Sequence, residues 1–258
     1  MRSMSTHHES ILDQFTRQAA HYLQMPGHND EESLRLLMNM AGVSGQDTVL
    51  DVACGSGIVA CAFAAVANHV TGIDLTPAML EQAQTLARQR GLTNVSWRQG
   101  GAEKLPFPDE SFSIALSRYA FHHFPRPDVV LSEMARVCQR GGKVLIADAA
   151  PQPDKADAYN HFEKLLDPSH HRALTLEEFQ NLMTAAGLQN ARLAFYKMEE
   201  ELERHLAALY PNPGDDEKVR RLVREDVGVD RLGVGAHLRG DELHFAYPVA
   251  VIVAGKAR

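Results

Sequence analysis

The apolar run TVLDVA, Thr48 to Ala53, breaks at Gly55 and Gly57 and passes at once into small apolar residues that continue to about Ala67. A buried strand, a glycine turn and a helix in that order make a βα unit, and such a unit asks for a parallel sheet around it. The pattern recurs down the chain. HVTGID, His69 to Asp74, predicts a second strand; Thr76 as N-cap and Pro77 at the first helical position then start a helix that Gly91 stops. NVSWRQ and SFSIALS predict the third and fourth strands, and a helix runs near Pro127 to Gln139. GGKVLIADA is the near-continuous apolar run of a central parallel strand. Over residues 45–150 this alternation, with no internal repeat, predicts an α/β fold with a doubly wound, mostly parallel sheet and helices on both faces.

Ahead of that core, Ile11, Leu12, Phe15, Ala19, Tyr22 and Leu23 recur at helical spacing, which predicts an amphipathic helix over residues 9–24 that MPGH breaks. Asn29 with Glu32 reads as the capping box of a second helix, ended by Gly42. Behind the core, a helix over 154–166 precedes one capped by Thr175 and Glu178 and closed by Gly187. Two strands are expected near Ala191 to Tyr196 and Tyr247 to Ala254. The polar excursion between them, Glu199 to Asp241, reads as a small helical cap without a core of its own, and its MEEELER run as a solvated helix face. One domain is expected over 1–258: a helical cover at 1–44, a binding core at 45–150 and substrate-side elements at 151–258.

Composition narrows the partners. Hydrophobic residues make up 45% and charged residues 23%, near the globular average, so disorder is excluded. A net charge of -7 without a basic run gives no electrostatic source for nucleic-acid binding and favours a small-molecule partner. MRSMSTHHES lacks an apolar signal region, and the run Ile58 to Ala67 is too short to span a bilayer, so a cytoplasmic location is expected. Cys54, Cys61 and Cys138 form no C-x-x-C pair and read as buried small hydrophobes; no metal site is expected.

Gly55, Gly57 and Ala60 fit the G-x-G-x-x-A turn of a dinucleotide site. Asp51, at the carboxyl end of the preceding strand, argues against a phosphate there and for a cation. S-adenosylmethionine, with an ammonium, a sulfonium and no phosphate, meets that demand. VLDVACGSG, GIDLTPAML, GGAEKLPFPDESF and RVCQRGGKVLIAD, in this order, resemble the motif series of class I S-adenosylmethionine-dependent methyltransferases. The resemblance is to the broad bacterial group similar to ubiquinone/menaquinone C-methyltransferases (methyltransferase type 11), and covers roughly residues 10 to 190.

That resemblance implies a Rossmann-like, seven-stranded sheet with a late antiparallel strand. It also implies that Asp51, Ala53, Gly55 and Gly57 line the methionine moiety, Asp74 accepts from both ribose hydroxyls, and Leu75 and Met79 pack on the adenine. Gly101 and Ala102 would contact the adenine edge through their backbone, and Ser117 would lie near the sulfonium. Many relatives carry an aspartate where this chain has Gly101, so the adenine amino contact is either lost or taken by another side chain. The helix bearing Phe15 and Tyr22 resembles the segment that closes over the cofactor, with plain core packing as the alternative.

Methyl transfer needs alignment and exclusion of water, and a base only where the acceptor carries a proton. Among thirteen histidines, the His7-His8 pair reads as solvated, whereas His122 and His170 are candidates for substrate orientation or proton removal. His123 and His171 stand beside them on the substrate side, and Arg118 either grips an acidic substrate or pairs with Asp148. The function implied is methyl transfer from S-adenosylmethionine to an oxygen, nitrogen or activated carbon of a small organic molecule, leaving S-adenosylhomocysteine. Cofactor binding without methyl transfer, in a regulatory role or another reaction, and an NAD-dependent oxidoreductase are the rival readings. Monomer and homodimer both stay open.

Overall fold

The computed structural model describes residues 4–22 and 26–258. Five parallel strands carry the front of the sheet: β1 (Thr48–Val52), β2 (His69–Asp74), β3 (Val95–Gln99), β4 (Phe112–Arg118) and β5 (Cys138–Ala149). Two long strands, β6 (Leu188–Glu201) and β8 (Glu242–Lys256), complete the order β3-β2-β1-β4-β5-β8-β6. β8 runs antiparallel to both its neighbours, and the short β7 (His237–Arg239) pairs with its start.

Side-chain alternation along the central strands splits the core into two layers. Leu50, Val52, Val144 and Ile146 face α5 (Pro127–Val137) and α7 (Leu176–Ala185), where Leu131, Met134 and Phe179 are buried. Val49, Leu145 and Ala147 face the other way, onto α2 (Glu31–Ala41) and α3 (Ile58–Ala64), with Leu37 and Phe63. α4 (Pro77–Gln89) lies on that same side through Leu86 and Ala87. Coverage of both faces is why GGKVLIADA is an unbroken apolar run.

A third cluster joins α6 (Ala156–Leu166), α8 (Leu202–Ala208) and α9 (Asp215–Asp226) to the first half of β8. Phe162, Leu206, Val219, Val223 and Phe245 pack there, so the excursion shares a core with α6 and β8 instead of lying bare on the surface. α1 (Met4–Tyr22) crosses the sheet's carboxyl end; the expected helix end at residue 24 lies outside the described residues. No helix among the described residues is long and apolar enough to cross a membrane.

Several boundaries differ from the sequence reading, each for a local reason. Asp30, not Asn29, caps α2: its Oδ2 accepts from the Ser33 amide at 2.7 Å, and Gly42 ends the helix in the left-handed region as expected. Thr175 and Glu178 do form a reciprocal capping box. β6 and β8 are longer than predicted, because β6 lies at the sheet edge and its polar, half-exposed residues hide the strand pattern. MEEELER is not a solvated helix face. Met198 to Glu201 end β6, Glu201 accepts from the Glu203 and Arg204 amides to start α8, and Glu200 is buried at 4% exposure.

Candidate active site

In the strand order, β1 and β4 are neighbours whose following connections leave in opposite directions, and the crevice beyond their carboxyl ends is the place where doubly wound sheets bind ligands. A cavity of about 900 Å³ lies there. Its walls come from Ala53 to Ser56 after β1, Asp74 to Thr76 after β2, Gly100 to Glu103 after β3 and Arg118 to Ala120 after β4. Ile11, Phe15 and Tyr22 of α1 cover it, with His28. Ala53 (φ 56°) and Tyr119 (φ 54°) hold left-handed conformations that non-glycine residues resist, so the ends of β1 and β4 are strained where they meet the cavity.

Asp74 is 8% exposed, and its two oxygens accept from the Gly55 and Thr76 amides, each at 2.8 Å. Each oxygen keeps a further lone pair. Burial pushes this carboxyl up, and the amide bonds oppose that shift. On the same cavity, Arg118 passes one Nη2 hydrogen bond to the His28 carbonyl, stands 4.4 Å from the Tyr119 ring centroid and leaves Nη1 buried without a partner. The pairing of Arg118 with Asp148 considered from sequence is absent.

Of the residues expected on the cofactor, Ala53, Gly55, Asp74, Leu75, Gly101, Ala102, Phe15 and Tyr22 come together on this cavity. Asp51, Gly57, Met79 and Ser117 do not line it. Asp51 lies behind the turn, with Oδ2 buried and unpartnered, and burial pushes its carboxyl up to about 8 despite the nearby Arg118. It therefore holds a proton near neutrality unless a cation joins it, which changes the simple charge argument drawn from sequence. Gly57 serves packing: a Cβ there would lie 2.6 Å from the Trp97 ring and 2.7 Å from the Ala83 Cβ. Met79 is 1% exposed within α4, and Ser117 turns its hydroxyl back to the Val52 carbonyl at 2.9 Å.

A second cavity, of about 620 Å³, adjoins the first through Phe15, Tyr22, His28, Tyr119 and His123, which line both. Its far walls bring together His122, Asp148, Tyr159, Glu163, Asp167, His205 and Tyr247. Asp148 Oδ1 stands 2.7 Å from His122 Nδ1, while Oδ2 accepts from the Phe121 amide at 2.7 Å. With Nδ1–H donating to Asp148, Nε2 is the basic nitrogen of His122. Burial lowers the His122 pKa, but Asp148, together with Glu163 and Asp167, outweighs it and the net shift is upward; its neighbour His123 is pushed down to about 4 by burial and by His122.

His170 and His171 line neither cavity. The His170 ring stacks on His122 at 5.5 Å and bonds through Nε2 to Asn160 Oδ1 at 2.8 Å, and burial drives its pKa far down. The His171 amide donates to the His122 carbonyl at 2.9 Å, so both histidines brace the His122 loop. His7, expected in solvent, bonds to the His123 carbonyl at 2.6 Å, and His8 reaches Glu103 at 3.3 Å and lines the first cavity.

Sequence reasoning missed Glu163, Tyr159, His205, Tyr247, His28 and Glu103. A signal existed for the first two: Tyr159 and Glu163 fall on the same stripe of α6 as the buried Phe162 and Leu166, and an acid in an apolar stripe needs a reason.

Comparison with known proteins agrees with this geometry. A family model described as a methyltransferase domain matches residues 50–146. The uncharacterized methyltransferase YcgJ of Bacillus subtilis is 38% identical over 173 residues, covering 66% of this chain and 68% of its own length. Its crystal structure superposes with a TM-score of 0.82 over 89% of this chain and 100% of that one, at 28% identity. The BH2331 protein of Bacillus halodurans C-125 gives a TM-score of 0.81 and 30% identity over 88% of this chain and 100% of that one. An uncharacterized Mycobacterium tuberculosis protein, Rv1403c, is 41% identical over 117 residues, only 42% of its length.

Proposed function

Because this chain belongs to the class I S-adenosylmethionine-dependent methyltransferases, we propose that it methylates a small organic acceptor, with the cofactor in the first cavity and the acceptor in the second. The observation that carries this reading is the adjacency of the two cavities at the switch point, one presenting Asp74 and the other the His122–Asp148 pair.

The first cavity fits the cofactor. Asp74 has a free lone pair on each oxygen for a vicinal diol, and its existing amide bonds fix their direction. Arg118 Nη1, a buried donor without a partner on the wall of this cavity, matches the carboxylate of the cofactor's amino-acid end. Leu75 and Ala102 give apolar contact for the adenine. Glu103, two residues past the position where many relatives have an aspartate, brings a carboxylate beside Gly101 for the adenine amino group. S-adenosylmethionine, when bound, supplies a methyl group already activated on a sulfonium.

The protein's part is alignment, exclusion of water and proton handling. Phe15, Tyr22 and His28 close the neck between the cavities, with Tyr22 and His28 ring centroids 4.5 Å apart. His122 Nε2 accepts the acceptor's proton, and Asp148 holds the ring and stabilises its charged form. His123, held neutral near pH 7, is a wall and not a second base. The test is formation of S-adenosylhomocysteine from S-adenosylmethionine over a panel of small acceptors. We expect formation with at least one acceptor, and loss of turnover in His122→Ala with cofactor affinity retained. Tight cofactor binding with no transfer to any acceptor would favour a binding or regulatory role.

A further inference from the structure

The second cavity has a strong chemical bias. Asp148, Glu163 and Asp167 line it, and among the described residues no lysine or arginine does. Two of these acids are occupied. Asp148 takes His122 and two backbone amides, and Asp167 takes the Ser169 amide and hydroxyl, each at 2.6 Å. Glu163 differs: it is 8% exposed, and its Oε1 is buried with no partner. A buried acceptor left unpaired carries its desolvation cost uncompensated, so a ligand that donates to it gains more than it would in water. The surrounding walls are aromatic, from Tyr119, Tyr159 and Tyr247, and ring faces beside a carboxylate attract a cation.

From this we propose that the acceptor is a small organic amine, and that Glu163 is the residue that recognises its nitrogen. The proposal rests on the methyl-transfer reading given above. An ammonium seated on Glu163 first gives one proton to His122 Nε2. The freed nitrogen lone pair then forms the N–C bond as the methyl's C–S bond breaks, the bonding pair leaves on sulfur, and the product departs as the N-methylated ammonium. Glu163 also holds that product cation until release. The Tyr247 hydroxyl, bonded to His205 Nε2 at 2.9 Å, supports the carboxyl from behind.

The experiment uses one carbon skeleton with three head groups: phenethylamine, phenethyl alcohol and phenylacetate, titrated calorimetrically into the whole protein, with and without S-adenosylhomocysteine. The amine should bind at least tenfold more tightly than the alcohol and the carboxylate, and Glu163→Gln, of nearly the same shape, should erase that preference. Equal or tighter binding of the alcohol or the carboxylate to the unaltered protein would overturn the proposal, as would failure of the amine to bind. An amine preference that survives Glu163→Gln, with thermal melting showing a folded variant, would overturn the role of Glu163. The unaltered protein gives the head-group ranking even where the variant does not fold. Absence of S-adenosylhomocysteine binding with the amine preference intact would count against the methyl-transfer reading while supporting the amine site.

Discussion

Replacing Asp148 with asparagine separates the two jobs of this side chain, bracing the loop after β4 and polarising His122. The carboxylate is 1% exposed and accepts from the Phe121 amide at 2.7 Å, the Ala149 amide at 2.8 Å and His122 Nδ1 at 2.7 Å. A carboxamide has one oxygen and one NH2, so in either orientation a buried backbone N–H faces another donor, at a cost of about 1–3 kcal/mol. Loss of the charge-assisted bond to His122 adds about 1.5–3 kcal/mol, which makes a total of about 2.5–6 kcal/mol, a range that includes the cost of breaking other buried pairs. The pH dependence has a definite sign. Asp148 raises the His122 pKa above the ordinary 6.5, so the pair's contribution is fully present below that value and is lost as pH rises through the folded value. Urea melts of both proteins at about pH 5.5 and about pH 9 should therefore show the larger gap at the lower pH, the amide penalty persisting at both. A gap that is constant or widens with pH would refute the ion pair, and unchanged turnover with a productive acceptor would refute its part in proton transfer.

Asp74→Ala removes two acceptors from the cofactor cavity; at about 1.5–3 kcal/mol for each bond to a charged group, S-adenosylhomocysteine affinity should fall by about two to four orders of magnitude. Calorimetry measures it, and unchanged affinity would remove the ribose assignment. Gly57→Ala places a Cβ 2.6 Å from Trp97 at φ 78°, so left-handed strain of about 1–2 kcal/mol and overpacking of about 1–3 kcal/mol should together lower stability in urea by about 2–5 kcal/mol. A loss under about 1 kcal/mol would mean that the Trp97 ring moves aside easily.

The strands β1, β2, β4 and β5 were legible in sequence because burial on both faces writes them as largely apolar runs. β6 was legible only over its middle, Ala191 to Tyr196, since an edge strand buries one face and its Lys197 and Glu199 read as surface. The α2 cap was misplaced by one residue because Asn29 and Asp30 are equally good caps, and only the bond to Ser33 distinguishes them. At the site, backbone turns were readable and convergence was not. Gly55 and Asp74 announce themselves at a strand end, but His122 and Asp148 lie 26 residues apart and meet only when β4 and β5 pair. Ser117 shows the same limit from the other side: its position at the end of β4 was clear, but alternation along the strand turns its hydroxyl to Val52 and away from the cavity.

The central claim, that the glycine turn and Asp74 form a site for S-adenosylmethionine, is tested most directly by calorimetric titration of the unaltered protein with S-adenosylhomocysteine, and with NAD in parallel. Saturable one-site binding of S-adenosylhomocysteine and no heat from NAD are expected. Binding of NAD without S-adenosylhomocysteine would contradict that claim and would return the turn after β1 to a dinucleotide.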